Sequence, residues 1–199
     1  MGDKLFDWLY GVIASPVATL NEIAIERPVG WALLVYIGVA VLTAIAAIFE
    51  PGTMADVEEF MTMFPFYVPL SILFVAGLFF TVVMLLILSF VLHLFARLFG
   101  GSGGYWNFFS AYTFANFPTI FNVPLSLIAS VLGGFGSFLS GLFGFGISIW
   151  ILVLQVLAVR ESHGLTTGIS ILAYFISFLI IVAIPVVIVV AVVLAMIAG

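Results

Sequence analysis

Five long apolar runs set the pattern of this chain, and the stretches between them hold its glycines, prolines and charges. The first run, Val29 to Phe49, opens behind Arg27-Pro28 with Trp31 near its start and closes at Glu50-Pro51-Gly52. About 20 apolar residues carry a helix across a bilayer core, so this run predicts one span. The second, 66–96, makes a helix of roughly 46 Å at 1.5 Å per residue against a core of roughly 30 Å, and is expected to tilt or project. The third, 107–132, is interrupted by Pro118 and Pro124. The fourth covers 139–159, and the fifth, 168–198, contains Pro185.

Residues 1–28 follow a different rhythm. Leu5, Trp8, Leu9, Val12 and Ile13 recur at helical spacing, with Lys4, Asp7 and Gly11 on the other side. Ser15-Pro16 reads as a hydroxyl N-cap followed by proline at the first helical position. The helix after it is expected to turn Val17, Leu20 and Ala24 inward and Thr19, Glu22 and Glu26 outward. Such a pair of helices packs on the membrane domain or lies in the interface, or else forms a docking arm for a partner. The pattern predicts an all-α, polytopic membrane helical bundle: an amphipathic region over 1–28, then a five-helix transmembrane domain over 29–199.

Composition agrees. Hydrophobic residues make up 65% of the chain and charged ones 7%, with a mean hydropathy of +1.44. Soluble domains carry about 25% charged residues, so lipid is the solvent for this surface. Four Lys or Arg are too few for a nucleic-acid partner. With no cysteine, disulfides, thiolate catalysis and Cys-type metal centres are excluded. Asp3 and Asp7 flank Lys4 and interrupt the start, against a cleaved signal. Gly2 lacks the Ser or Thr that N-myristoylation wants, because position 6 is Phe6.

Charge predicts orientation. With five crossings, Lys4, Arg27, Arg97 and Arg160 fall on one side, and Glu50, Asp56, Glu58 and Glu59 on the other. Cations mark the cytoplasmic face. The expectation is a multi-pass protein of a prokaryotic cell membrane, N-terminus inside and C-terminus outside. Every charged residue avoids the middle of a span. That argues against a proton-driven pump and against carboxylate hydrolysis or a carboxylate metal site within the bilayer.

The polar groups left in the membrane concentrate in the third run. Tyr112, Thr113, Asn116 and Thr119 share a helical face. Pro118 frees a carbonyl near Phe114, and Asn122 with Pro124 repeats the pattern one turn on. Either the kink is sealed by interhelical hydrogen bonds, or a broken helix lines a cavity that meets a ligand or lipid. Matching stripes occur elsewhere: Ser89, His93 and Arg97; Ser148 and Gln155; Ser170, Tyr174 and Ser177. Should these faces converge, Tyr112, Thr113, Asn116, Pro118, Asn122, Gln155 and Tyr174 form a polar seam. Ser140, Gly144 and Ser148 let the fourth span approach a neighbour. Gly133, Gly134, Gly136 and Gly141 are read as turn residues, with Phe135 and Phe138 dipping into the interface.

Familiar chemistries find little support. His93 reads as interfacial, and His163, placed in a loop, does not complete a metal site. No metal or cofactor is expected. Gly146-Ile147-Ser148 and Gly168-Ile169-Ser170 are bare G-x-S matches without a base in reach. The run Gly100-Gly101-Ser102-Gly103-Gly104 lacks the Gly-Lys-Ser/Thr ending of a phosphate loop and reads as a sharp turn.

Several of these segments together resemble a known family. They are Ser15-Pro16, Glu26-Arg27-Pro28, Leu98-Phe99-Gly100-Gly101, Ala111-Tyr112, Phe117-Pro118 and Arg160-Glu161 with His163-Gly164-Leu165-Thr166. In this order across five hydrophobic segments they resemble the Yip (Ypt/Rab-interacting protein) family in its prokaryotic form. The resemblance implies a five-span bundle with a cytosolic N-terminus and no catalytic residues. Eukaryotic members bind Rab GTPases in vesicle traffic. This sequence lacks their long polar N-terminal region, which puts a Rab partner in doubt. Two functions are expected: a non-enzymatic scaffold that organises the bilayer or binds a membrane protein or a second copy, or a permease, channel or lipid-translocating protein using the seam.

Overall fold

A computed structural model describes residues 2–50, 52–64 and 66–198. Helix α1 is Gly2–Ala14, α2 Pro16–Glu26, α3 Val29–Ala47, α4 Thr53–Thr62, α5 Leu70–Leu98 and α6 Tyr105–Ala115. A short 3-10 helix, Phe117–Phe121, leads into α7, Asn122–His163, and α8 runs Thr167–Ala198. The described residues form an all-helical bundle. Pro51, expected to end the first span, lies outside the described residues.

Four stretches are long and apolar enough to cross a bilayer, and one of them, Tyr105–His163, is 59 residues long. It takes in both the third and fourth predicted spans, two helices that meet at a kink at Gly133. The chain reverses within α7 at Gly133, where φ is 57° and ψ −137°. Only glycine visits that region cheaply. Two bonds show that the limbs then run antiparallel. Ser140 Oγ donates to the Leu125 carbonyl (2.7 Å), and Gln155 Nε2 to Asn116 Oδ1 (2.9 Å). Just past the turn, a Cβ on Gly136 would lie 2.9 Å from the Ala129 Cα and overlap the Ile128 carbonyl. Gly133 and Gly136 make the expected turn a close hairpin rather than an open loop.

The acidic connection after α3 is not a plain loop either. Gly52 (φ 93°) begins α4, which carries Asp56 in its first turn, where the helix dipole favours an anion. None of its residues is buried.

The N-terminal pair folds into the bundle. Gly11, expected to face outward, is buried, because α1 and α2 cross there. A Cβ at Gly11 would overlap the Thr19 side chain. This contact turns α2 about its axis from the expected orientation. Thr19 is buried, and Val17, expected inside, is 44% exposed. The Ser15 hydroxyl does not cap α2. Instead the Ser15 carbonyl accepts from the Thr19 hydroxyl (3.0 Å). Lys4 pairs with Glu26, and Trp8 Nε1 donates to Glu22 Oε1 (3.1 Å), tying the outer faces of the two helices. Leu20, Ile23 and Val12 enter the core, and Trp8 meets Phe114 edge-on at 5.8 Å.

The core is centred on α6, where every residue from Phe108 to Ala115 is buried. In lipid there is no hydrophobic drive between helices, so close packing and hydrogen bonds must hold them. The sequence of α6 suits that demand. Phe108, Phe109 and Phe114 fill volume, while Ala111 and Ala115 let α2, α3, α5 and α7 approach. Its hydroxyls bond within the helix, Ser110 to the Trp106 carbonyl (3.0 Å) and Thr113 to the Phe109 carbonyl (2.6 Å). Helix α8 packs through the small residues Ser170, Ala173 and Ser177, whereas Val182, Val186 and Val193 beyond them are exposed.

Candidate functional site: a polar relay at the broken helix

The end of α6 creates an orphan that the relay satisfies. In a continued α-helix the Asn116 amide would bond the Tyr112 carbonyl. Here the chain tightens toward the 3-10 helix at Pro118, and the Asn116 amide bonds the Thr113 carbonyl instead (3.2 Å). The Asn116 side chain repairs the loss, its Nδ2 donating to the Tyr112 carbonyl at 2.7 Å. Its Oδ1 accepts from Gln155 Nε2 at 2.9 Å. Gln155 Oε1 in turn accepts from the Tyr174 hydroxyl at 2.5 Å. One chain of bonds thus runs from α8 through α7 to the break after α6. Gln155 is 8% exposed.

The other seam residues are placed nearby with different roles. The Tyr112 ring is buried against Phe108, centroids 5.4 Å apart, and only its carbonyl joins the relay. Thr113 bonds its own helix. Pro118 is buried in the 3-10 helix. Asn122 is half-buried at the start of α7, and its carbonyl accepts from Ser126 Oγ (3.1 Å). A cavity of about 370 Å³ lies between α3 and the break, with Tyr36, Thr43, Thr81, Thr113, Asn116 and Thr119 in its wall. Gln155 and Tyr174 stand outside that wall.

A second polar cluster was not anticipated. His163 is the last residue of α7, not part of a loop, and is 1% exposed. Its Nε2 lies 2.9 Å from His93 Nδ1, and its Nδ1 lies 3.1 Å from the Val159 carbonyl. A carbonyl only accepts, so His163 Nδ1 carries a proton. In the neutral pair its Nε2 then accepts from His93 Nδ1. Phe108 lies against both rings, at 6.4 Å and 5.0 Å. The glycine-rich turn makes this burial feasible. A Cβ on Gly101 would sit 2.8 Å from the His163 Cβ, and one on Gly103 would overlap the Ser162 carbonyl. The Ser102 amide donates to the His163 carbonyl (3.1 Å), satisfying a helix end. Zinc takes four ligands. Among the described residues no group of three or more His, Cys, Asp or Glu comes together.

The cations gather at this same end. Arg97 and Arg160 occupy the last turns of α5 and α7, where the helix dipole favours positive charge. Arg27 closes α2 in a left-handed conformation, φ 52°. Asn107 Nδ2 reaches the Ala24 carbonyl (2.7 Å), and Asn21 Nδ2 reaches Glu161 Oε2 (3.3 Å), which holds the end of α2 beside that of α7. Glu50 bonds Ser126 in the first limb of α7, toward the hairpin turn.

No curated protein and no solved structure matches the chain. A model described as the Yip1 domain matches residues 10–198, nearly the whole sequence. Apolar helices long enough to span a bilayer, packed around α6, and a match of that extent place this integral, multi-pass membrane protein in the Yip1 family.

Proposed function

We propose that the protein is a non-enzymatic scaffold of the cell membrane that works by holding a membrane-protein partner or a second copy of itself, and that its polar seam locks the bundle. One observation carries this reading. Both polar atoms of the Asn116 amide and both of the Gln155 amide are engaged inside the protein. A solute path needs such groups free to replace a solute's hydration, whereas a lock needs them paired. Counting each limb of the α7 hairpin as one crossing gives five. The N-terminus then lies in the cytoplasm with Lys4, Arg27, Arg97 and Arg160, and the C-terminus outside. A Rab-type GTPase is no part of this proposal.

The cavity against α3 favours a second reading, a permease, channel or lipid translocator entered beside Thr113 and Asn116. Reconstitution separates the two. The scaffold reading expects vesicles holding the purified protein to pass no ions, small solutes or labelled lipid, and expects a stoichiometric partner or a dimer from native membranes. Flux that Asn116→Leu abolishes while the helices persist would replace it with the second.

A further inference from the structure

A wide apolar cleft lies at the end remote from the cations. Helix α4 overhangs it, between the close of α3 and the first turns of α5, leaving a volume of about 1020 Å³. Ile48, Met54, Phe60, Phe74 and Phe80 are among its walls, and Asp56 is the one charged group there. Met54, Val57 and Phe60 recur at helical spacing and line the cleft from α4. The helix therefore turns an apolar face toward a gap while none of its residues is buried.

That gap needs an occupant. Water is held where two to four polar partners converge, and these walls are almost wholly apolar. Left empty, both walls lose their dispersion contacts. Ile72, Val75 and Phe79 are exposed on the adjoining surface of α5, so the cleft lies next to hydrocarbon. Along α5 its walls run from Leu70 to Phe80, about 15 Å at 1.5 Å per residue. That is about one leaflet, half of a core roughly 30 Å thick.

Charge selects the kind of lipid. No Lys or Arg occurs between Arg27 and Arg97, while Glu50, Asp56, Glu58 and Glu59 lie on or beside α4. An anionic head group meets only like charge there, and an ammonium meets a carboxylate. We propose that the cleft is a phospholipid site, in which one acyl chain lies along α5 under α4 and a primary ammonium head group pairs with Asp56. Thr53 and Ser71, also in the wall, supply hydroxyls for the ester or phosphate oxygens. The site is separate from the relay, so flux or its absence there leaves this proposal untouched.

The test uses the full chain, incorporated into vesicles of equal phosphatidylethanolamine and phosphatidylglycerol, extracted gently and analysed by native mass spectrometry. Wild-type protein is expected to keep one phospholipid, with phosphatidylethanolamine enriched about threefold, the scale of a partly exposed ion pair. Gly77→Leu plugs the cleft: no atom lies within 4 Å of a Cβ there, so the helix accepts the side chain. It is expected to lose the lipid at unchanged helical content. Asp56→Lys, on the exposed surface of α4, is expected to keep the lipid and reverse the preference toward phosphatidylglycerol. Three results overturn the proposal: lipid of bulk composition on wild type, lipid retention by Gly77→Leu equal to wild type, or a second copy whose cross-links map to the cleft. Should Gly77→Leu misfold, the Asp56→Lys preference decides alone, and an unchanged preference refutes the head-group pairing.

Discussion

Replacing Gln155 by leucine removes the middle of the relay at nearly constant volume. Two interhelical bonds go at once, the one donated to Asn116 and the one accepted from Tyr174. Bonds of this kind in membrane bundles contribute about 0.6 to 2 kcal/mol each, giving a loss of about 1 to 4 kcal/mol. The orphaned Asn116 Oδ1 and Tyr174 hydroxyl push toward the upper part of that range, because an unpaired buried polar group costs about 1 to 3 kcal/mol. Asn116 retains its bond to the Tyr112 carbonyl, so the break itself persists. Tyr174→Phe removes one bond and leaves Gln155 Oε1 bare, at about 1 kcal/mol. In the double variant the tyrosine hydroxyl is gone together with its acceptor, so no orphaned hydroxyl is left. The double variant is therefore expected to be no less stable than Gln155→Leu, with a coupling of at least about 1 kcal/mol between the positions. Reversible unfolding in mixed micelles, followed by helicity, measures all four forms. Strict additivity, or a Gln155→Leu variant within about 0.3 kcal/mol of wild type, refutes the relay as a lock.

Two further outcomes follow from contacts elsewhere. Gly103→Ala drives a Cβ into the Ser162 carbonyl and is expected to destabilise the fold severely, whereas Gly38→Ala in open helix is neutral or stabilises by up to about 1 kcal/mol; expression and unfolding midpoints compare them. The Glu26 hydrogen bond raises the Lys4 pKa above its usual 10.5, so the pairing is complete below that value and disappears as pH rises through the raised one; Trp8 fluorescence is expected to change there and not in Lys4→Met.

Much of the fold is legible because lipid restricts the choices. Apolar runs of the right length must be helices, since a backbone in hydrocarbon has no water to bond. The starts of α3 and α8 fall within a residue of the predicted ones for that reason. Asn116, Gln155 and Tyr174 were legible as a seam because amides and phenols are scarce in those runs and sit at helical spacing. What stayed hidden depends on approach between distant segments. Nothing near Val17 or Thr19 in sequence announces that Gly11 will let the helices cross so closely that α2 turns. His163 follows Arg160-Glu161 and precedes Gly164, which reads as a loop. Its burial is decided by Gly101 and Gly103, far back in the chain. The turn at Gly133 was legible, because glycine interrupts the apolar runs there, but its closeness, set by Gly136 against Ile128 and Ala129, was hidden. Helix α4 was missed because its acids mask the spacing of Met54, Val57 and Phe60.

The bond from Ser102 to His163, with Gly103 backed onto Ser162, fastens two connections that are remote in sequence. The turn between α5 and α6 and the turn between α7 and α8 thereby become a single mechanical part. A probe inserted into the first loads the second, and a pull on the start of α8 is felt at the base of the helix that fills the centre. Motions that open the bundle at this end must carry both turns together, leaving the opposite end, under α4, as the side free to yield.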